Sequence, residues 1–150
     1  MTTTGTTALP SALAEIRDEF LALDLKDRLQ LLLEFANELP ELPEALRDHP
    51  DLFERVVECQ SPVFLDAEVD GDTVRLHATA PRESPTTRGF ASILVQGVTG
   101  LTPAAVLAIP NDYPQMLGLN EAVSPLRVRG MSGMLARTKR QVAAKSAVAG

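Results

Sequence analysis

Two back-to-back segments with a period of two constrain what this chain can fold into. Val63, Leu65, Ala67 and Val69 alternate with Phe64, Asp66, Glu68 and Asp70; after Asp70-Gly71-Asp72 the alternation resumes as Val74, Leu76 and Ala78. Successive side chains of a strand point to opposite faces, so each segment carries an apolar face and a mostly polar one. Gly71 accepts the positive φ that a tight turn demands, which predicts an antiparallel hairpin. A third, short strand is expected over Arg55 to Gln60.

Both flanks of the hairpin read as helical. Leu13, Ile16, Phe20 and Leu23 recur at helical spacing behind Pro10-Ser11, and Asp24 can cap a second helix whose stripe is Leu25, Leu29, Leu32, Leu33, Ala36 and Leu39. These two helices are expected to pair. Pro40, Pro43 and Pro50 make the next stretch a loop with one helical turn near Glu44 to Arg47. Beyond Pro85, the residues Phe90, Ile93, Leu94, Gly97 and Val98 describe a buried helix. Thr102-Pro103 starts a short one, another turn is expected over Tyr113 to Leu119, and Ser124-Pro125 opens a terminal helix with Met131, Met134, Leu135, Thr138 and Val142 inward. Helices before and after one hairpin, without strand-helix-strand alternation, give an α+β domain with helices packed on one face of a small antiparallel sheet. At 150 residues the chain suits one domain, expected over 10–150 behind a disordered threonine-rich tail, 1–9.

Charge and composition exclude several functions. A net charge of -6 disfavours binding to nucleic acid, and without Trp and with a single Tyr a base-stacking platform has little to be built from. No apolar run approaches a membrane span, and no export signal is recognised at the start; with one unpaired cysteine, this leads to an expectation of a reducing cytoplasm. There is no Walker loop, dinucleotide fingerprint or His-Glu-x-x-His helix. His49 and His77 are too few for a metal site and are expected at the surface. Arg127, Arg129, Arg137, Lys139, Arg140 and Lys145 fall in a tail without acids, read either as a solvated helix face or as a docking face. Lys26, Lys139 and Lys145 are expected to be solvated and carry no phosphate-binding loop, so pyridoxal phosphate is not expected on this chain.

Cys59 is the only cysteine. One thiol closes no intramolecular disulfide and cannot supply the ligands of a Cys-rich zinc site or an iron-sulfur cluster. It is either a small buried hydrophobe or a sulfur that attacks, carries or is modified. Glu58, Gln60 and Ser61 beside it and Pro62 beyond favour a loop tip. Nothing marks a histidine as its base, which weakens a hydrolase reading. Sulfur exchange asks only for access, some thiolate and a good leaving thiolate. Glu58 raises the thiol's pKa, so a cation is wanted nearby, and Arg127, just inside a helix start, is the candidate.

Cys59-Gln60-Ser61 leading into a strand, Glu83 with Arg88-Gly89 opening the central helix, and Ser124-Pro125-Leu126-Arg127-Val128-Arg129-Gly130 resemble, in that order and separation, the SufE family. The resemblance runs from about Leu13 to Ala143 and implies a SufE/IscU-like fold. It further implies that Cys59 accepts persulfide sulfur from a pyridoxal-phosphate-dependent, SufS-like cysteine desulfurase, stimulates that enzyme and passes the sulfur to a SufBCD-like iron-sulfur scaffold. No cofactor, nucleic acid or membrane is implied for the chain itself. By the same resemblance Cys59 rests sheltered and swings outward on docking, with Gln60, Ser61, Glu83 and Arg127 supporting it or meeting the partner. Glu58 stands where the family has Gly, Phe64 where it has Trp, and Leu126 where Ser is common. The lost Gly would stiffen the loop. The alternative is a module that activates a desulfurase by docking alone; an iron-sulfur scaffold is disfavoured by the single thiol.

Overall fold

A computed structural model describes residues 9–149. Helix α1 (Ser11–Leu21) and α2 (Leu25–Asn37) lead to a single turn, α3 (Glu44–Arg47), and a 3-10 turn at Pro50–Leu52. Strands β1 (Glu54–Arg55), β2 (Phe64–Asp70) and β3 (Thr73–Thr79) follow. Helices α4 (Pro85–Val98), α5 (Pro103–Leu107), α6 (Tyr113–Met116), α7 (Leu119–Ala122) and α8 (Pro125–Ala149) complete the chain. The expected tail lies outside the described residues except for Leu9, which packs half-buried against the core.

The sheet has the order β1-β2-β3, antiparallel throughout, with Asp70 opposite Thr73 and Gly71 at φ 65° in the turn between them. Leu65, Ala67, Val74, Leu76 and Ala78 face the core, the register that the alternation predicts. Helix α4 packs on β3 and α8 on β2, so the fold is α+β as expected. The third strand is shorter and earlier than expected: it ends at Arg55, and Val56 to Gln60 leave the ladder.

Helix α4 is buried on almost every side because it is enclosed between the sheet, α1, α2 and α8. The expected pairing of α1 with α2 is therefore secondary. Both helices lie mainly on α4 and meet each other through the stacked rings of Phe20 and Phe35, 6.1 Å apart. In α2 the buried stripe is Leu32, Phe35 and Ala36, while Leu25, in the first turn, is exposed. Caps match the sequence: Asp24 accepts from the Asp27 N–H at 2.9 Å and Thr102 from Ala105 at 3.1 Å. Arg88 joins α4 to its surroundings by donating to the carbonyls of Ala36 and Ala80. Tyr113, fully buried, donates to Leu13 O at 2.7 Å and ties α6 to α1.

Helix α8 has a second task at the sheet. Because β1 covers only the start of β2, the backbone of β2 near Ala67 has β3 on one side and no strand on the other. Gln141 accepts from the Ala67 N–H at 2.7 Å, and Lys145 donates to Ala67 O and to Asp66. Side chains of a helix thus close a strand edge. Lys145 is exposed, as expected, yet anchored, whereas Lys139, also expected in solvent, is half-buried and donates to Ile109 O at 2.7 Å and Asn111 Oδ1 at 2.8 Å. His77, expected at the surface, is half-buried and paired with Glu68 across the hairpin.

Candidate functional site

Strand β1 hands the chain to a pinned loop. Val56 and Val63 are both fully buried, and the Val56 N–H donates to Val63 O at 2.9 Å, closing the base. Within the loop the Cys59 N–H donates to Val56 O at 3.0 Å, so the chain turns sharply and carries Cys59 inward while Val57, Gln60 and Pro62 stay exposed. Cys59 is 7% exposed. Its polar neighbours predict a loop tip, and a loop tip it is, but one folded back onto α8.

Two glycines on α8 make that possible. A Cβ built on Gly130 would stand 2.8 Å from Cys59 Sγ, and one on Gly133 would stand 2.8 Å from the Glu58 carboxyl and 2.9 Å from Glu58 Cβ. Both distances are far inside van der Waals contact, so the notch exists only because those positions have no side chain. Gly130, the last residue of the Pro-x-Arg-x-x-Gly signature, is thereby explained as the seat of the thiol.

The thiol borders a small cavity of about 80 Å³ whose other walls include Gln60, Ser61, Ser84, Thr87 and Arg127. Ser61 and Ser84 hydrogen-bond to each other, fastening the loop to the start of α4. Arg127 is exposed at the cavity's edge, with its backbone N–H on the Ser124 hydroxyl at 3.4 Å. Cys59 and Arg127 therefore share one face. Glu83 is exposed one residue before Ser84 and does not line the cavity. A larger open groove of about 540 Å³ lies elsewhere, between the Pro40–Pro43 loop and β3, and contains no thiol.

The cation that acts on Cys59 is Arg137 rather than Arg127. Arg137 donates from Nε to Glu58 Oε1 at 2.9 Å and from Nη2 to Glu58 Oε2 at 3.2 Å, while its Nη1 reaches Glu54. Arg140 and Gln141 also donate to Glu54. Within the basic tail, Arg137, Arg140 and Lys145 are thus paired with acids of this chain and Lys139 is tied to a carbonyl and an amide, while Arg127 and Arg129 stay exposed. The guanidinium of Arg137 holds the Glu58 carboxyl below its usual range. Burial pushes the Cys59 thiol up to about 11, the Glu58 charge adds to this, and Arg137 opposes it. Gly130, Gly133 and Arg137 recur at i, i+3 and i+7 on one helical face, a small-small-Arg pattern that is present in the sequence but carries no meaning there without knowledge of what packs on it.

In this state the site can shelter a neutral thiol and little else. Among the described residues no group of three or more His, Cys, Asp or Glu is placed to hold a metal ion, and no helix is long and apolar enough to cross a membrane. The cavity's walls offer hydroxyls, an amide and one guanidinium, with no imidazole or carboxylate to serve as a base for Cys59.

Comparison with known proteins bears directly on this arrangement. The family model described as SufE, Fe-S metabolism associated domain, matches residues 14–142. An uncharacterized SufE-like protein of Mycobacterium tuberculosis is 51% identical over 140 residues, covering 93% of this chain and 96% of that one. The solution structure of a hypothetical protein from Thermus thermophilus superposes with a TM-score of 0.80 at 37% identity, covering 95% of this chain and 100% of the other. The Arabidopsis thaliana SufE-like protein 1, chloroplastic/mitochondrial, is 29% identical over 128 residues, 85% of this chain but 33% of the plant protein. With the fold, the thiol loop and the Gly130 seat in place, these matches establish that the chain belongs to the SufE family and has its role in Fe–S metabolism.

Proposed function

We propose that this protein accepts sulfur on Cys59 from a SufS-like cysteine desulfurase, stimulates that enzyme by clearing its persulfide, and carries the sulfur to a SufBCD-like scaffold. The observation that carries the reading is the solitary thiol of Cys59, held 7% exposed on a loop pinned at Val56 and Val63 and seated in the Gly130 notch. A sheltered sulfur at the edge of a cavity suits a carrier, which must spare its cargo from solvent yet present it. The residues around the thiol in the loop, Val57, Gln60 and Pro62, are exposed.

In the transfer step the Cys59 thiolate attacks the outer sulfur of the desulfurase persulfide. A new S–S bond forms on Cys59, the S–S bond on the desulfurase breaks, and the electron pair leaves with that enzyme's cysteine as thiolate. The outer sulfur keeps its own proton or charge, and no external oxidant or reductant is needed. With Cys59 7% exposed and burial pushing its pKa up to about 11, the closed loop keeps the thiol protonated and out of a persulfide's reach, so transfer proceeds from an open loop. Leu126, exposed at 46%, and the guanidinium of Arg127 line the cavity beside the thiol and suit a partner with apolar and acidic groups. Gln60, Ser61 and Glu83 complete the proposed contact region. The reaction is assigned to the pair of proteins, with the pyridoxal phosphate on the desulfurase.

Intact mass after incubation with a cysteine desulfurase and L-cysteine is the test. The wild type gains one sulfur atom and Cys59→Ser gains none and loses stimulation. A Cys59→Ser variant that stimulates as well as wild type would replace this reading with activation by docking alone.

A further inference from the structure

We infer that Glu58, Arg137 and Gly133 form a catch that holds the Cys59 loop closed. The inference deepens the sulfur-acceptor reading by naming what regulates access to its thiol. Glu58 rides on the loop and Arg137 stands on α8, so their two parallel hydrogen bonds, 2.9 and 3.2 Å, span the boundary between the part that moves and the part that stays. Two bonds between planar groups fix direction as well as distance. Gly133 provides the space. Glu58 Cβ and its carboxyl both lie where a side chain at position 133 would begin, so the loop closes only over a residue without a Cβ.

The arrangement is braced from behind. Arg137 also donates to Glu54 in β1, and Arg140 and Gln141 hold Glu54 in turn, so the guanidinium is aimed before Glu58 arrives. Such preorganisation raises the strength of a half-buried ion pair above that of an exposed one. The carboxylate that stiffens the loop at position 58 is therefore part of a lock with its key residue on α8. Opening carries Glu58 outward beside Cys59 and leaves Arg137 behind. The positioning residues Glu58 and Arg137 thus govern whether the thiol is sheltered or presented.

The rate at which iodoacetamide alkylates Cys59 in the full chain, followed by intact mass at constant neutral pH, tests the catch without any desulfurase. Arg137→Met separates position from charge, because the two predict opposite signs. As a mere electrostatic neighbour Arg137 favours the thiolate, and its loss slows alkylation; as the catch its loss frees the loop, and alkylation accelerates about tenfold. Gly133→Ala keeps every charge and improves helix propensity, yet it displaces Glu58 and accelerates alkylation by a similar factor of about ten. Far-UV circular dichroism and thermal melting confirm that each variant is folded. Alkylation of folded Arg137→Met at or below the wild-type rate overturns the inference; should that variant not fold, an unchanged rate in Gly133→Ala does so. Sulfur uptake by wild-type Cys59 from a desulfurase is a separate measurement, so either conclusion can fail while the other stands.

Discussion

Cys59 in the closed loop should be alkylated far more slowly than the same thiol in the unfolded chain. Its pKa is pushed up from 9.0 to about 11, first by burial and then by the Glu58 charge. Well below both values the thiolate fraction then falls by about 100-fold, since each pH unit is a factor of ten. The more basic thiolate is the better nucleophile, which returns roughly six- to tenfold. A net slowing of about tenfold remains from ionisation alone, and the closed loop adds a further barrier of access. The assay is the pseudo-first-order rate of iodoacetamide alkylation from about pH 7 to 10 in buffer and in concentrated guanidinium chloride, read by intact mass. In buffer the rate keeps climbing past pH 9, whereas in denaturant it levels off near the ordinary thiol value. Native and denatured rates within about twofold of each other, or a native plateau near pH 9, would refute the sheltered, protonated resting state.

Other consequences can be checked separately. The raised Cys59 pKa means that the folded state binds the thiol proton more tightly than the unfolded chain. The resulting stability is fully present below pH 9.0 and is lost as pH climbs towards about 11, visible as a falling urea midpoint that Cys59→Ala flattens. Glu58 has the opposite sign: its pKa is lowered by Arg137, so its contribution is present above its usual range and fades as pH falls below 4.5, a loss that Glu58→Gln removes from the acid limb of the same titration. Tyr113→Phe leaves the buried Leu13 carbonyl without its donor and should cost about 1–3 kcal/mol in urea unfolding. Leu32→Ala, at a fully buried position of α2, should cost about 2–5 kcal/mol without changing the rate of Cys59 alkylation in the folded protein.

Much of the fold is legible in the sequence because its signals are local. The hairpin follows from alternation and Gly71, and the helix starts from Asp24, Thr102-Pro103 and Ser124-Pro125, each acting within a few residues of itself. What is not legible depends on distant neighbours. Leu25 and Phe35 exchange burial relative to the expected stripe because α4, some sixty residues away, decides which side of α2 is covered. Residue type alone sends Lys139 and His77 to solvent, yet both are half-buried and meet a partner along the chain or across the hairpin, and Lys145, exposed as expected, is still anchored at Asp66. At the site, the thiol and the Pro-x-Arg-x-x-Gly signature are visible as motifs, and the structure gives Gly130 a physical reason. The charge partner is different from the one expected. Arg127 belongs to the motif, but one helical turn beyond Gly133 on the same face stands Arg137, and only packing reveals that it meets Glu58.

Gln141 and Lys145 together occupy the place of a missing strand beside β2. Shortening the chain before Gln141 would strip that cover and leave amide and carbonyl groups of β2 open along one margin, an invitation for two molecules to stitch their sheets together. The end of the last helix thereby keeps a strand margin closed, and through Gln141 the same helix face also steadies Glu54.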